Sequence, residues 1–310
     1  MNPKFVVILG PTGVGKSDTA VWVALQFDGE IISADSIQVY RRMEIGTGKP
    51  SLEIRGKVPH HLMDLVDPDE EFNAARFRES ALQAAGQIQF RRKKVVICGG
   101  TGLYIKALTH GLFVGPGRSV EIRRGFEEDC KNKGLSYLYE RLRKQDPDAT
   151  LRIHPNDRQR IVRALEVYAL TGKRISQWQR DHGFREAQLD VLKIGLERDR
   201  KELYALIDRR CEDMVDEGLV DEVRGLIDGG YSLELSPLQS VGYRQIGFYL
   251  KGEMGLDEAL SLMKRDTRRL AKRQLTWFRA DKEIRWFHPE KDRNKILESV
   301  HGFLSNTHDS

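Results

Sequence analysis

Cysteine is scarce in this chain. Its three cysteines, Cys98, Cys130 and Cys211, lie far apart among 310 residues and form no C-x-x-C pair. A disulfide framework or a cysteine-rich zinc site needs closely spaced pairs, so the spacing argues against both. We expect these thiols to be bystanders in a reducing compartment.

Long hydrophobic runs are also missing. No segment approaches the roughly twenty apolar residues that a membrane-spanning helix needs. The short apolar run KFVVIL at 4–9 lacks a small-residue cleavage site and leads directly into a glycine-rich loop, so we interpret it as a strand rather than a signal peptide. Internal repeats and low-complexity segments are absent, and we expect a soluble cytoplasmic protein.

The composition permits a sizeable core and a polyanionic partner. Hydrophobic residues make up 40% and charged residues 31%, which suits one large or two modest domains. The formal net charge is +5 with a sequence pI of about 9.0. An excess this mild favours polyanions without establishing one, so the position of the charges matters more.

Strand and helix patterns alternate through the first hundred residues. Apolar runs at 5–9, 30–34 and 94–98 each end in small or polar residues, and helical patterns cover 17–27 and 74–91. Such alternation predicts an α/β fold, with a parallel sheet flanked by helices and ligands at the carboxyl ends of the strands.

The pattern changes after Gly111. Charged helical segments without a convincing strand fill 113–186, and a further strand is expected at 189–196. Helices are predicted over 200–228 and 256–279, and the last dozen residues resemble a frayed end. We therefore predict a P-loop-type core formed by 1–112 and 187–310, interrupted by a helical insert domain at 113–186.

A phosphate-binding loop follows the first strand. The segment GPTGVGKS at 10–17 matches G-x-x-x-x-G-K-[ST] at every fixed position, between a strand and a helix. Its glycines let several backbone N–H groups point at one anion, and the helix N-terminus adds partial positive charge. Lys16 is expected to reach the terminal phosphate and Ser17 to help hold Mg²⁺. The loop does not by itself identify a reaction.

The second strand ends at Asp35, for which three roles remain open. The carboxylate can lie in the outer shell of Mg²⁺, accept a proton from an attacking amine or hydroxyl, or cap a helix N-terminus. Gln38 adds an amide suited to pairing with a base edge.

The third strand ends in Gly99-Gly100-Thr101-Gly102, where a nucleotide hydrolase usually carries an acidic residue. These glycines permit close approach of a ligand that Thr101 can hydrogen-bond.

A basic helical segment occupies 264–279. Seven lysines and arginines, including Arg268, Lys272 and Arg273, accompany one aspartate. A solvated helix face and an RNA-binding face are both compatible with this pattern, and the excess of basic residues favours RNA.

We assign Trp277 and Trp178 to packing, and leave Tyr40 and Tyr104 open between core packing and base stacking. His60 and His61 suggest a metal site, but adjacent residues of a strand point to opposite faces, so we prefer a structural loop.

Taken together, the motifs resemble those of the tRNA dimethylallyltransferase family, also called isopentenyl-diphosphate:tRNA transferases. The resemblance spans nearly the whole chain in the family's order. Besides GPTGVGKS, the motifs are ADSIQVYRRMEIGTGKP at 34–50, VPHHLMDLVDP at 58–68, CGGTGLYIKAL at 98–108, HPNDRQRIVRALEVYALTGK at 154–173, GLVDEVRGLI at 218–227, SVGYRQIG at 240–247 and TRRLAKRQLTWFR at 267–279.

The resemblance implies transfer of a dimethylallyl group from its diphosphate to N6 of the adenosine on the 3′ side of the anticodon. It implies that Asp35 is the general base and that Thr101 lies near the reacting atoms. The implied diphosphate-binding residues are Gly10, Pro11, Thr12, Gly13, Val14, Gly15, Lys16, Ser17 and Arg210. The implied tRNA contacts are Asp35, Ser36, Ile37, Gln38, Thr101, Arg123, Asp157, Arg158, Gln159, Arg160, Ile161, Gly242, Tyr243, Arg244 and Gln245.

The chemistry agrees with this assignment. An allylic C–O bond breaks readily because the developing cation is delocalised, so most of the catalytic work is stabilisation of the leaving diphosphate by N–H groups, Lys16 and Mg²⁺. Two other functions remain: a P-loop kinase or ATPase that turns over ATP without RNA, and a noncatalytic RNA-binding protein that keeps a nucleotide as a structural ligand. We expect a monomer that binds the tRNA anticodon stem-loop.

Overall fold

The computed structural model describes residues 3–111, 115–182 and 189–306. Within these residues, contacts divide the chain into two compact units, one comprising 1–109 with 188–310 and the other 110–187. No helix in the described ranges is long and apolar enough to cross a membrane.

The first unit is built on a six-stranded parallel sheet. The strands are β1 (Lys4–Leu9), β2 (Gly29–Ser33), β3 (His60–His61), β4 (Lys94–Gly99), β5 (Asp190–Leu196) and β6 (Arg285–Phe287). Their order is β3-β2-β4-β1-β5-β6. In the centre, Val7 of β1 pairs with Ile97 of β4 on one side and Lys193 of β5 on the other. The predicted parallel sheet is confirmed.

Helices flank the sheet of the first unit, and further helices form the second unit. In chain order they are α1 (Lys16–Gln26), α2 (Leu52–Lys57), α3 (Ala74–Phe90), α4 (Gly102–His110), α5 (Val120–Lys133), α6 (Leu135–Gln145), α7 (Pro147–Thr150), α8 (Arg158–Thr171), α9 (Ile175–His182), α10 (Arg200–Asp216), α11 (Leu219–Asp228), α12 (Tyr243–Leu250), α13 (Leu256–Arg279) and α14 (Arg293–Ser305). A 3₁₀ turn covers Ser236–Gln239.

The two units have separate hydrophobic cores. In the first, β-branched residues of the central strands, such as Val6, Ile8 and Val96, are buried beneath the flanking helices. In the second, whose described residues contain helices and no strand, Phe126, Leu138 and Leu165 belong to a smaller cluster. The strandless character predicted for the insert therefore holds where the structure describes it.

The helices predicted over 200–228 are confirmed, and Gly218, in a left-handed conformation with φ of 104°, separates the two. The prediction for the end of the chain was wrong. The predicted frayed end is helical through Ser305, and Val300 is completely buried in it. A short amphipathic helix gains stability from packing of this kind rather than from local sequence preference. The remaining residues of the predicted frayed end, 307–310, lie outside the described residues.

Three strand ends meet at one edge of the sheet. β2, β4 and β1 are adjacent, and their carboxyl ends lead to Asp35, to Gly100-Thr101 and to the phosphate loop. In parallel α/β sheets, ligands bind at this edge. The fold therefore places the two best-supported catalytic candidates next to the anion-binding loop.

Candidate active site

The phosphate loop connects β1 to α1 in a conformation that depends on glycine. Gly13 and Gly15 have φ values of 78° and 99°, in the left-handed region that other residues rarely adopt. Gly15 is also the N-cap of α1, and no side chain caps the helix. The loop therefore presents a helix N-terminus without a side-chain cap, a suitable site for an anion.

Lys16 lies within this loop. Its Nζ donates a hydrogen bond to the Pro11 carbonyl oxygen at 2.7 Å. The pKa of Lys16 is lowered to about 8, chiefly by burial and also by the charge of Arg210, while Cys98 and Asp35 oppose the shift. A bound anion would stabilise the protonated form.

Arg210 of α10 brings a second positive charge to the loop. Its Nη1 donates to Thr12 Oγ1 at 3.3 Å, and a Cβ placed on Gly48 would lie 2.0 Å from its Nη2. Burial lowers the pKa of the guanidinium, and the charge of Asp35 raises it. Among the described residues, no carboxylate forms an ion pair with Lys16 or Arg210. Two cations are thus held at the loop without neutralising partners.

Asp35 lies at the carboxyl end of β2. Its Oδ1 accepts hydrogen bonds from the backbone N–H of Ile37 at 2.9 Å and of Gln38 at 3.4 Å, so the carboxylate caps the following turn. Asp35 also raises the pKa of Lys16 and of Arg210, which places it within electrostatic reach of both cations. Capping of this turn occupies Oδ1, and no hydrogen bond to Oδ2 is formed within the described residues.

Thr101 is bonded to the same loop. Its Oγ1 accepts from the Ser36 backbone N–H at 3.0 Å and donates to Ser36 Oγ at 3.3 Å. Gln38, in contrast, is occupied within the protein. Its Oε1 accepts from Ser33 Oγ at 2.8 Å and its Nε2 donates to the carbonyls of Thr47 and Gly48. The Gln38 amide therefore organises the loop in this conformation, and is not free for a base edge.

Gln274 of α13 was missed by sequence reasoning. Its Oε1 accepts from the Thr12 backbone N–H at 2.9 Å, and its Nε2 donates to the Gly100 carbonyl at 3.0 Å. A Cβ on Gly100 would lie 2.5 Å from this amide, and a Cβ on Gly99 would lie 2.2 Å from the Ala34 carbonyl oxygen. Protein groups thus approach both glycines, at the end of β4 and just after it. Close approach of a ligand to this loop stays a prediction.

Glu222 of α11 was also missed. Its carboxylate accepts hydrogen bonds from the backbone N–H groups of Glu44, Ile45 and Gly46 at 2.7–3.1 Å. Tyr243, completely buried, donates its hydroxyl to the same carboxylate at 2.5 Å. Burial, followed by the Glu222 charge, raises the pKa of Tyr243. Glu222 therefore fixes the segment that carries Gly48 toward Arg210.

A cavity of about 970 Å³ lies beside the phosphate loop. It is lined by Gly13, Gly15, Lys16, Ser17, Asp18, Glu44, Ile45, Gly48, Lys49, Pro50, Ser51, Leu52, Arg55, Asp64, Leu206, Arg209, Arg210, Asp213, Met214 and Glu217. Two of its basic residues, Lys49 and Arg55, form ion pairs with Glu44 and Asp64. The cavity joins the anion loop to Arg210, whereas Asp35 and Thr101 do not line it.

His60 and His61, for which we preferred a structural role over a metal site, both have partners within the protein. The two residues form β3, a two-residue strand rather than the loop we expected. His61 Nε2 lies 2.7 Å from Glu30 Oε2, and His60 Nδ1 lies 2.7 Å from the Val58 carbonyl oxygen. Within the described ranges, no group of three histidine, cysteine or acidic side chains is arranged to hold a metal ion.

The predicted RNA contacts of the insert surround the start of α8. Asp157 caps this helix through a 3.1 Å bond from the Arg160 N–H, while Arg158, Gln159 and Arg160 are exposed. Ile161 is completely buried in the core of the insert. The surface at this end of α8 thus consists of polar side chains.

Arg123 is engaged inside the insert. Its Nε and Nη2 donate to the two oxygens of Glu166 at 2.8 and 2.9 Å. Arg163 and the Ser119 backbone N–H also donate to this carboxylate, whose side chain is 0% exposed. Burial raises the pKa of Glu166, but these hydrogen bonds prevail and lower it to about 2.

In the predicted contact segment 242–245, the buried residues serve the fold. Tyr243 bonds Glu222 as described above, and Gln245 bonds the Gly242 N–H and Asp266, each at 2.9 Å. Arg244 is partly exposed and pairs with Asp266 at 2.9 Å. Arg244 is therefore the side chain of this segment that reaches the surface.

Most of the basic side chains of α13 form ion pairs with carboxylates, which the excess of basic residues in the sequence did not indicate. Five of the seven pair with carboxylates, most of them on other parts of the chain: Lys264 with Glu212, Arg265 and Arg269 with Asp266, Arg268 with Asp208, and Arg279 with Glu197. Lys272 and Arg273 are exposed and form no ion pair within the described residues.

Tyr104 and Tyr40 belong to the core. Tyr104 is 4% exposed and stacks on Phe77 with ring centroids 4.3 Å apart. Tyr40 is 6% exposed. Trp277, which we had assigned to packing, is 41% exposed even though it contacts Gly102.

Comparisons of the sequence with family models and with known proteins all point to one family. A family model described as IPP transferase matches residues 38–281. The tRNA dimethylallyltransferase 2 of Syntrophus aciditrophicus (strain SB) is 49% identical over 303 residues, covering 98% of this chain and 97% of that protein. The tRNA dimethylallyltransferase of Geobacter metallireducens (strain ATCC 53774 / DSM 7210 / GS-15) is 49% identical over 300 residues, covering 97% of each.

Solved structures are similar over the same extent. The full-length tRNA isopentenylpyrophosphate transferase of Bacillus halodurans has a TM-score of 0.72 at 39% identity, with coverage of 97% of this chain and 96% of that chain. A eukaryotic dimethylallyltransferase acting on tRNA has a TM-score of 0.82 at 29% identity, with coverage of 98% and 80%.

Proposed function

The chain belongs to the IPP transferase family, and from that premise we propose that it transfers a dimethylallyl group from dimethylallyl diphosphate to tRNA. The acceptor is N6 of the adenosine on the 3′ side of the anticodon. A bond forms between N6 and C1 of the allyl group, the C1–O bond breaks, diphosphate leaves, and the amine loses one proton. Full-length relatives with the corresponding names support this reaction.

One observation carries the proposal at the level of the site. Lys16 and Arg210 are held at the phosphate loop with no ion-pair partner in the described ranges, and Asp35 lies within electrostatic reach of both. Such a site can stabilise a departing diphosphate anion and accept a proton from the nucleophile. Electrostatic preorganisation of this kind is usually the largest single contribution to catalysis.

The diphosphate is assigned to residues 10–17 and Arg210. The left-handed glycines orient backbone N–H groups, Lys16 supplies a charge from within the loop, and Arg210 supplies another across Thr12. Because an allylic cation is delocalised, C–O cleavage is limited mainly by how well the leaving oxygens are stabilised. This clamp is expected to lower the barrier by several kcal/mol.

The donor groups beside Lys16 fit a Mg²⁺ ion. Ser17 is exposed, lines the cavity, and stands at the N-terminus of α1, with the Asp18 carboxylate next to it. Mg²⁺ typically takes only one or two protein ligands and fills the rest of its octahedron with phosphate oxygens and water. When bound, the ion would supply charge neutralisation to the diphosphate.

Asp35 is assigned as the general base and Thr101 as a residue at the reacting atoms. Oδ1 of Asp35 is fixed by the turn it caps, which holds the carboxylate in place and leaves Oδ2 to accept the N6 proton. Thr101 restrains Ser36, the next residue, through two hydrogen bonds. A base held in this way meets the positional requirement for proton transfer.

The RNA-binding residues are assigned to both units. In the core they are Arg244, Arg268, Lys272 and Arg273, together with the Asp35–Gln38 loop. In the insert they are Arg123, Asp157, Arg158, Gln159 and Arg160. Gly242, Tyr243, Gln245 and Ile161 are assigned a supporting role, since the last three are buried. The partner is the anticodon stem-loop, and we propose a monomer that works in the cytoplasm, where tRNA is modified.

A single assay tests this function. Purified protein, Mg²⁺, dimethylallyl diphosphate and unmodified tRNA are combined, and the digested nucleosides are analysed by mass. We expect a dimethylallyl group on adenosine and one diphosphate released per transfer. Phosphate release from ATP without RNA, and no prenylated adenosine, would favour a P-loop ATPase. RNA binding that survives Lys16→Met with no transfer in the wild type would favour a noncatalytic RNA-binding protein.

A further inference from the structure

Trp277 combines close packing with exposure. A Cβ placed on Gly102 would lie 2.3 Å from the indole Cδ1 and Nε1, so the pyrrole side of the ring rests on that glycine. The residue is nevertheless 41% exposed. Tryptophan is highly buried on average, so an indole that packs on a glycine and still exposes this much of its surface is not explained by packing alone.

The indole of Trp277 lies close in the chain of contacts to the Asp35–Gln38 loop, which we propose meets the acceptor adenosine. Gly102 directly follows Thr101, whose hydroxyl is bonded to Ser36. Ser36 in turn follows Asp35. The indole is therefore separated from the proposed base by one short hydrogen-bonded connection within the first unit.

Unpaired positive charge lies on the same helix. Arg273 precedes Trp277 by four residues, so the two share a face of α13. Arg273 and Lys272 are exposed and form no ion pair within the part of the chain that the structure describes. An exposed aromatic ring with a cation on the same face is a combination that binds single-stranded nucleic acid, since the bases stack and the phosphates pair.

We propose that Trp277 is a stacking platform for the nucleobase adjacent to the target adenosine in the anticodon loop. This inference rests on the proposed function. An adenosine that reaches Asp35 must leave the stack of its loop, and its neighbour then loses a stacking partner. The indole replaces that partner. Because every base has a π-face, the platform accepts any base at that position.

The test measures coupling between the tryptophan and one base. Anticodon stem-loops are prepared intact, with an abasic nucleotide on the 5′ or 3′ side of the target adenosine, or with one at a distant loop position. Transfer kcat/KM is measured for wild type, Trp277→Phe and Trp277→Leu. At one of the two neighbours, removal of the base should cost the wild type about tenfold. It should cost Trp277→Phe nearly as much and Trp277→Leu little.

Equal abasic penalties in wild type and Trp277→Leu at both neighbouring positions would overturn the proposal and leave Trp277 a packing residue. That outcome is distinct from failure of the proposed function, which would show as no transfer to the intact stem-loop by wild type.

A second readout requires binding only. Stem-loops carry 2-aminopurine at either neighbour, and fluorescence is followed as wild-type protein is added. Stacking on the indole predicts quenching at one position, and binding of Trp277→Leu should instead increase the signal there. An increase at both positions with wild type would overturn the proposal, whether or not the leucine variant folds.

Discussion

Gln274 accepts a hydrogen bond from the Thr12 backbone N–H at 2.9 Å, across 262 positions of sequence. Its amide nitrogen also holds the Gly100 carbonyl. One side chain of α13 thus joins the phosphate loop to the loop that carries Thr101. We infer that Gln274 keeps the proposed diphosphate and acceptor halves of the site in register.

Replacement of Gln274 by alanine should therefore affect both halves. Two hydrogen bonds are lost and a backbone N–H is left without its partner, which should destabilise the protein by about 1–3 kcal/mol. Transfer kcat/KM should fall by about tenfold. Chemical denaturation and steady-state transfer assays measure the two effects.

Gln274→Glu is the matched control. It keeps an acceptor for the Thr12 N–H and loses the donor to the Gly100 carbonyl. Its stability and its transfer kcat/KM should therefore fall between those of wild type and Gln274→Ala. Wild-type kcat/KM in Gln274→Ala would show that the bridge has no role in positioning.

Lys16 should make diphosphate binding depend on pH. Its pKa in the free protein is about 8, and a bound diphosphate favours the protonated amine. The second ionisation of a phosphate group occurs near pKa 6, so the ligand keeps its charge at higher pH. The Kd for dimethylallyl diphosphate should therefore rise by up to about tenfold per pH unit above pH 8. Calorimetry in buffers of different ionisation enthalpy should detect proton uptake on binding.

Lys16→Met supplies the control and a second readout. It should bind weakly at all pH values and without proton uptake. Because the pKa of Lys16 is lowered from 10.5 to about 8, the unfolded chain binds more protons than the folded protein between these values. The contribution of Lys16 to stability therefore increases with pH across this window, and Lys16→Met should flatten that part of the stability profile. A pH-independent Kd in wild type would contradict the lowered pKa.

Glu222 and Tyr243 should behave as a coupled pair. Glu222→Ala removes the acceptor of three backbone N–H groups and one hydroxyl, and should destabilise the protein by about 2–4 kcal/mol. Tyr243→Phe removes one of these bonds and should cost about 1–2 kcal/mol. In the double variant the effects should fall short of the sum, because the shared bond is lost once. Additive effects in the denaturation midpoints would mean that the pair does not act as a unit.

Glu166 should make the insert sensitive to acid. The hydrogen bonds from Arg123, Arg163 and Ser119 lower its pKa from 4.5 to about 2. A carboxylate with a lowered pKa stabilises the fold above its unfolded pKa, and this contribution is lost as pH falls from 4.5 through 2. Glu166→Gln should therefore be less stable at neutral pH, by about 3 kcal/mol, and lose less stability on acidification. Circular dichroism melts across this pH range provide the measurement.

Arg123 tests whether this cluster also serves RNA. Arg123→Ala should lower stability and raise the KM for tRNA, whereas Arg158→Ala, at an exposed position, should raise KM alone. If Arg123→Ala lowers stability without changing KM, its role is confined to the fold of the insert.

The sequence predicted those parts of the fold and site that depend on local pattern. The phosphate loop, Asp35 at the end of β2 and Thr101 after β4 follow from short motifs, and the alternation of strands and helices fixes the edge where they meet. Gln274 and Glu222 could not be predicted in this way, because their partners lie far away in sequence. The ion pair of Arg268 could not be predicted for the same reason, since Asp208, its partner, lies on another helix.

A glycine in a local pattern does not reveal which group comes close to it. Gly99 and Gly100 were predicted to permit close approach of a ligand, and in the structure Ala34 and Gln274 come close to them. Gly218 separates two helices through a left-handed conformation. In each case the sequence marks a place that requires glycine, but only the tertiary structure identifies what comes close.

The central claim, that the carboxylate beside the anion-binding loop deprotonates the RNA amine, is tested most directly by the rate of the chemical step in Asp35→Asn. Single-turnover transfer is measured with saturating tRNA and dimethylallyl diphosphate, and with Asp213→Asn, an exposed carboxylate of the cavity wall, as the matched control. We predict that Asp35→Asn slows transfer by about 10²–10⁴-fold with unchanged tRNA affinity, while Asp213→Asn stays close to wild type. A chemical step in Asp35→Asn within a few-fold of wild type would contradict the account.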